Sequence, residues 1–218
     1  MQFNSTFLDT LLPGYLTEAD KNRLSFALAQ FKSTGLNTDI EERLPFYHAP
    51  NRIEALWQGD LVRNVPVCYF DIGHKSFETD ISDAIILTNT CDMDNDSKNR
   101  VLEKNVLFAP IINLSDYEVN LKNSKISADK IATILKDIKL QRYSNIFFLP
   151  KNIYDNNNEY IAFLDQISWL PIEYVKKIEQ HKDKDRIASL HHLGFYLFIM
   201  KLSYHLCRLP EDTHRNLA

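Results

Sequence analysis

Ala84-Ile85-Ile86-Leu87-Thr88 is an unbroken apolar run of strand length, and Val106-Leu107-Phe108-Ala109-Pro110-Ile111-Ile112 repeats the pattern further on. A strand that is apolar at every position is covered on both faces. Two such runs therefore commit the chain to a sheet buried between other layers. Pro110 marks a strand end, an edge or a bulge in the second run. Leu61-Val62 and Val65 to Phe70 read as shorter strands, entered through the turn signal Gly59-Asp60, and Asp71 to His74 reads as a loop or hairpin tip. Strand material returns at Asn145 to Leu149, closed by Pro150, and in Tyr160 to Trp169.

Helical periodicity surrounds and interrupts these strands. Thr17 is an N-cap candidate for a helix with Leu24, Ala27, Leu28 and Phe31 on one face, stopped at Gly35. Ser127 caps a second helix, inserted at 127–140, with Ile131, Ile134, Leu135 and Ile138 on its apolar face. The mixed charges of Lys182 to Arg186 read as a solvated start to the last helix. There Leu190, Leu193, Leu197, Met200, Tyr204 and Cys207 are spaced by threes and fours, flanked by Phe195, Phe198, Ile199 and Leu202. A helix apolar on so much of its circumference is expected to be buried on more than one side. The reading is an α+β chain with a helical region at 1–56, a β-barrel-like core at 57–170 and a C-terminal helical region at 171–218.

Composition excludes several classes. Five glycines and no GxGxxG or GxxxxGK[ST] leave no glycine-built phosphate loop. A net charge of −4 argues against a basic surface over the whole protein, though a local patch for nucleic acid stays open. Cys68, Cys91 and Cys207 lie far apart, as reduced thiols of a cytoplasmic protein do. Met1 to Phe7 lacks a leader's basic start, and the apolar stretch Leu193 to Met200 is too short to span a bilayer, so no membrane association is expected.

The densest chemistry follows the first apolar run, in Thr88-Asn89-Thr90-Cys91-Asp92-Met93-Asp94-Asn95-Asp96. Strand ends present polar groups from a rigid base, so Thr88, Thr90, Cys91 and Asp92 are the candidate binding residues. Asp92, Asp94, Asp96 and Glu103 match positions one, three, five and twelve of a calcium-loop template. Ser97 stands where that template has its turn glycine, and strands flank the loop, which favours a solvated acidic loop over a divalent-cation site. No other cofactor is expected. Cys91 could act as a nucleophile if His74 folded back toward it, making Cys91, Asp92 and His74 the catalytic candidates. The surrounding carboxylates oppose a reactive thiolate, and a small residue ending a strand is the simpler account. His191 and His192 point about 100° apart on a helix and do not share a metal.

Gly59-Asp60-Leu61-Val62, Ala84 to Thr88 and Val106 to Ile111, with the later Phe163 to Ser168, resemble the SH3-like barrel of the MazF/PemK/Kid toxin endoribonucleases. Gly59-Asp60, Thr88-Asn89-Thr90-Cys91-Asp92, Ala109-Pro110 and Leu149-Pro150 together also look like bacterial proteins of unassigned function. The toxin resemblance implies an SH3-like barrel over about residues 57–170. The toxins carry Arg-Pro before the strand matching Ala84 to Thr88, where this chain has Ser82-Asp83. An arginine there stabilises charge at the cleaved phosphate, so an acidic residue is unfavourable for ribonuclease chemistry.

These readings combine into an expectation of a bacterial cytosolic interaction or ligand-binding module, set among toxin–antitoxin or phage-defence systems. Its partner would be a protein or a second copy of the chain, with nucleic acid as an alternative. The competing expectation is a metal-dependent nuclease or other hydrolase built on Asp92, Asp94 and Asp96.

Overall fold

The computed structural model describes residues 46–48, 55–93, 104–124, 126–151, 153, 157–180 and 185–207. The helix expected at Thr17 to Gly35 lies outside them. The described strands are β1 Tyr47–His48, β2 Leu61–Asp71, β3 Ser76–Ile86, β4 Asn105–Asn113, β5 Ile146–Leu149, β6 Tyr160–Phe163, β7 Ser168–Pro171 and β8 Arg186–Leu190. The helices are α1 Thr90–Met93, α2 Leu114–Asn123, α3 Ala128–Lys139, α4 Ile172–Gln180 and α5 His192–Cys207. The chain is α+β, and its antiparallel sheet, in the order β1-β8-β2-β3-β4-β6-β5 with β7 also on β4, curls into a half-barrel.

Strand β4 organises the sheet. One edge pairs with β3, and the other is divided, with Asn105 to Phe108 on β7 and Ile111 to Asn113 on β6. Ala109 and Pro110 fall at the gap between these two partners. The Leu87 N–H donates to the Leu107 carbonyl at 2.9 Å. Pairing alternates in an antiparallel ladder, so the Ala84–Pro110 pair is one without mutual hydrogen bonds. The proline nitrogen therefore faces the gap and removes no ladder bond. Pro110 sits within the strand, at the junction where its two neighbours part.

Each face of the sheet is covered. One face buries Leu61, Ile85, Ala109, Ile111, Phe147 and Leu149 under Leu197, Phe198 and Leu202 of α5. The other face buries Val62, Val65, Ala84, Ile86, Val106 and Phe108 under Ile172 and Val175 of α4. A third cluster joins Leu114 of α2 and Ile138 of α3 to Ile146, Phe148 and Ile161. Phe147/Leu149 and Ile146/Phe148 go to different clusters because successive strand residues point to opposite faces. Ser127 is the N-cap residue of α3 without a side-chain cap bond, whereas Asn113 caps α2 through its Oδ1, which accepts from the Ser115 N–H at 2.9 Å.

Two expectations for the C-terminal region change. Arg186 opens strand β8, not a solvated helix, and its side chain is buried beside Asp60. Helix α5 is buried along Leu197, Phe198, Lys201 and Leu202, while Met200, Tyr204 and Leu206 are exposed. The periodic stripe was displaced because Lys201, polar by type, occupies the buried face: its Nζ donates to Gln141 Oε1 at 2.7 Å and to the Gln141 carbonyl at 3.1 Å.

Candidate functional site

The end of β3 is stitched by its own polar side chains. Thr88 Oγ1 accepts from the Leu107 N–H at 2.7 Å, and Thr90 Oγ1 accepts from the Gln58 N–H at 3.1 Å. Gln58 in turn donates through Nε2 to the Leu87 carbonyl at 2.7 Å. Asn89 Oδ1 accepts from the Cys91 N–H at 2.9 Å, starting α1 and turning Met93 into the core beneath α4. Both threonines are thus engaged in shaping the strand exit, and Cys91 and Asp92 are exposed beyond it. His74 is on the β2–β3 turn, at the opposite end of β3 from Cys91. Its N–H donates to Asp71 Oδ1 at 2.8 Å, and this bond, with the imidazole at 3.4 Å, holds the Asp71 carboxyl below its ordinary range. Asp94, Asp96 and Glu103 lie outside the described residues, and among the described residues no cluster of three His, Cys, Asp or Glu side chains forms.

A buried polar node ties the Gly59-Asp60 turn to β8. Arg186 Nε lies 3.2 Å from Asp60 Oδ2, which also accepts from the Trp57 N–H at 2.9 Å. The Arg186 guanidinium donates to the Ala55 carbonyl as well. Burial raises the Asp60 pKa, and the opposing influence of Arg186 and the Trp57 and Ser189 hydrogen bonds does not reverse that. In a buried pair such as this one desolvation opposes the attraction between the charges. It joins the turn that precedes β2 to the start of β8.

The conspicuous surface is the β2–β3 hairpin. β2 pairs with β8 only at Leu61 and Val62, and β3 pairs with β4 only from Asp83 to Ile86. Beyond an irregularity between Val62 and Val65, where Asn64 has φ +54°, seven cross-strand pairs run from Val65–Ser82 to Asp71–Ser76. An extra residue in one strand bends it, and here it carries the ribbon past the ends of its β8 and β4 pairings. Ser168 Oγ, which accepts from the Cys68 N–H at 2.9 Å, joins β7 to the ribbon's edge. At about 3.3 Å per residue the arm is roughly 20 Å long.

Opposed residues in a ladder share a face. Pro66, Cys68 and Phe70 therefore lie with Ile81, Thr79 and Phe77 on one face that carries no charge. Phe70 and Phe77 meet edge to face at 5.3 Å, yet Phe77 is 75% exposed, and Ile72 at the tip is 83% exposed. The other face carries Glu78 and Asp80 beside Tyr69 and Val67. At the arm's base the uncharged face runs into an open cleft of about 640 Å³ lined by Ile81, Asp83, Arg63, Asn113, Asp116 and Tyr160. Asp83 Oδ1 accepts from the Asn64 N–H at 3.2 Å, so the same bulge that bends β2 holds this carboxylate in the cleft.

Sequence reasoning saw the hairpin tip but missed the arm, since exposed strands lack the periodicity that burial imposes. The available signal was the apolar-polar alternation Phe77-Glu78-Thr79-Asp80-Ile81-Ser82, facing Val65 to Phe70 across the turn. No protein-family model matches the chain, and no curated protein matches it either.

Proposed function

We propose that the protein is an interaction module in which an SH3-like half-barrel presents the β2–β3 arm to a protein partner. The carrying observation is the arm itself: a ribbon extending past its sheet neighbours with Phe70, Ile72, Phe77 and Ile81 exposed. A two-stranded ribbon is marginal in water without further packing, and exposed apolar surface concentrated on one element marks contact sites. The SH3-like reading draws on the curled sheet of β2, β3, β4 and β7 over the core beneath α4, with Ser168 reaching Cys68. The toxin–antitoxin or phage-defence setting is part of this proposal and follows from the resemblance alone.

The test places a photo-crosslinking amino acid at Ile72 and, as a control, at exposed Val119 on α2, in the producing cell. The expected result is a protein adduct at position 72, absent at position 119 and lost in Phe70→Ser/Phe77→Ser. No adduct at position 72, with intrinsic turnover that survives the arm substitutions, overturns the reading.

A further inference from the structure

Resting on the reading of the arm as a docking element, we infer that its occupant is a second copy of this chain, the two arms lying antiparallel with Lys75 of each in the Asp83/Asp116 cleft of the other. The arm carries a matched pair of features at its two ends. At the base, the cleft holds the carboxylates of Asp83 and Asp116 against the single guanidinium of Arg63, leaving one negative charge over. At the tip, exposed Lys75 is held with φ +54° in the turn, one residue before β3 begins at Ser76. Between them lies the face of Pro66, Cys68, Phe70, Phe77, Thr79 and Ile81, which bears no charge to repel its own image.

A two-fold axis through the middle of that face sets tip against base in both directions at once. This is the isologous condition, in which residue i meets j and j meets i. The arm's roughly 20 Å reach is the distance over which both ends must register. Alternative occupants fit less well. A nucleic acid would bring phosphates to a cleft with surplus negative charge. A parallel arrangement of two arms would place Lys75 against Lys75 and one acidic cleft against the other. The contact is confined to one hairpin and one cleft of each chain, so the dimer is expected to form and dissociate with concentration.

The experiment is sedimentation equilibrium of the full chain across micromolar concentrations, with circular dichroism to confirm folding of each variant. The wild-type chain is expected to dimerise reversibly, and Lys75→Glu and Asp116→Lys each to weaken dimerisation at least tenfold. An equimolar mixture of those two variants restores it, because every contact in the mixed dimer again pairs opposite charges. Lys75→Glu/Asp116→Lys in one chain restores it too. A wild-type chain that stays monomeric throughout overturns the inference, while an arm-dependent adduct to a different protein at position 72 leaves the docking reading standing. Dimerisation that Lys75→Glu leaves unchanged, or that mixing fails to restore, also overturns it.

Discussion

The Nζ of Lys201 donates to the amide oxygen of Gln141 at 2.7 Å in a position only 1% exposed. Gln141 is itself fixed, with φ +57°, by donating to the Phe148 carbonyl at 2.7 Å and accepting from the Phe148 N–H at 3.0 Å. The lysine thus fastens α5 to the turn between α3 and β5. Burial, uncompensated by a carboxylate, lowers its pKa from 10.5 to about 7.

A base with a depressed folded pKa binds its proton more readily in the unfolded chain. Between about 7 and 10.5 the unfolded state holds the extra proton, so stability rises with pH through that window and is flat below it. Charging Lys201 costs on the order of a few kcal/mol. Denaturant unfolding at neutral and alkaline pH should show this gain, and Lys201→Met should remove the slope.

Asp60→Ala leaves Arg186 buried without its counter-charge. Breaking a buried pair in this way costs about 3–5 kcal/mol. Asp60→Leu combined with Arg186→Met is expected to recover most of that loss. Midpoints of urea unfolding for the single and double variants check the difference.

Gly194 lies in the first turn of α5, where an added Cβ would come 2.7 Å from the Phe46 carbonyl oxygen. Backbone on both sides cannot give way cheaply, so Gly194→Ala should cost about 1–3 kcal/mol. Loss of β1 protection in hydrogen exchange should accompany the lower thermal midpoint.

Surface and core aromatics should separate cleanly. Phe77→Ser is expected to change stability by no more than about 0.5 kcal/mol, since Phe77 is exposed. Phe108→Ala, at a position fully buried in the core beneath α4, should cost about 3–5 kcal/mol. Only the first should reduce crosslinking at Ile72 while the fold is intact.

All three cysteines are exposed. A disulfide reagent should therefore titrate three thiols in the folded protein, with no further thiol released by denaturant.

The parts of the fold visible in the sequence were those written in burial. Ala84 to Leu87 is buried on both faces and Val106 to Ile112 on both except at exposed Leu107, and Ile131 and Ile138 of α3 point inward as their spacing requires. α2 was missed because most of its residues are partly or fully exposed and its capping signal resides in Asn113, which also ends β4. β8 was missed because its leading Arg186 is charged, and its burial depends on Asp60, far away along the chain. At the strand end, Thr88 and Thr90 were recognised as polar groups of interest, but their partners Leu107 and Gln58 are long-range and invisible to local reading. The arm shows the same limit from the other side, since its pairing is local but beyond Val65 no core imposes a pattern on it.

The pairing of β2 with β8 has a consequence for synthesis. A chain emerging from the ribosome makes β2, β3, β4 and Asp60 long before it makes Arg186. Until β8 is released, one edge of β2 is open at Leu61 and Val62, and the Asp60 carboxylate has no guanidinium to accompany it inward. Non-local pairing of this kind delays folding and leaves strand edges uncovered meanwhile. Completion of the sheet therefore waits for β8, and a chain halted before Leu190 remains an unfinished, edge-exposed intermediate.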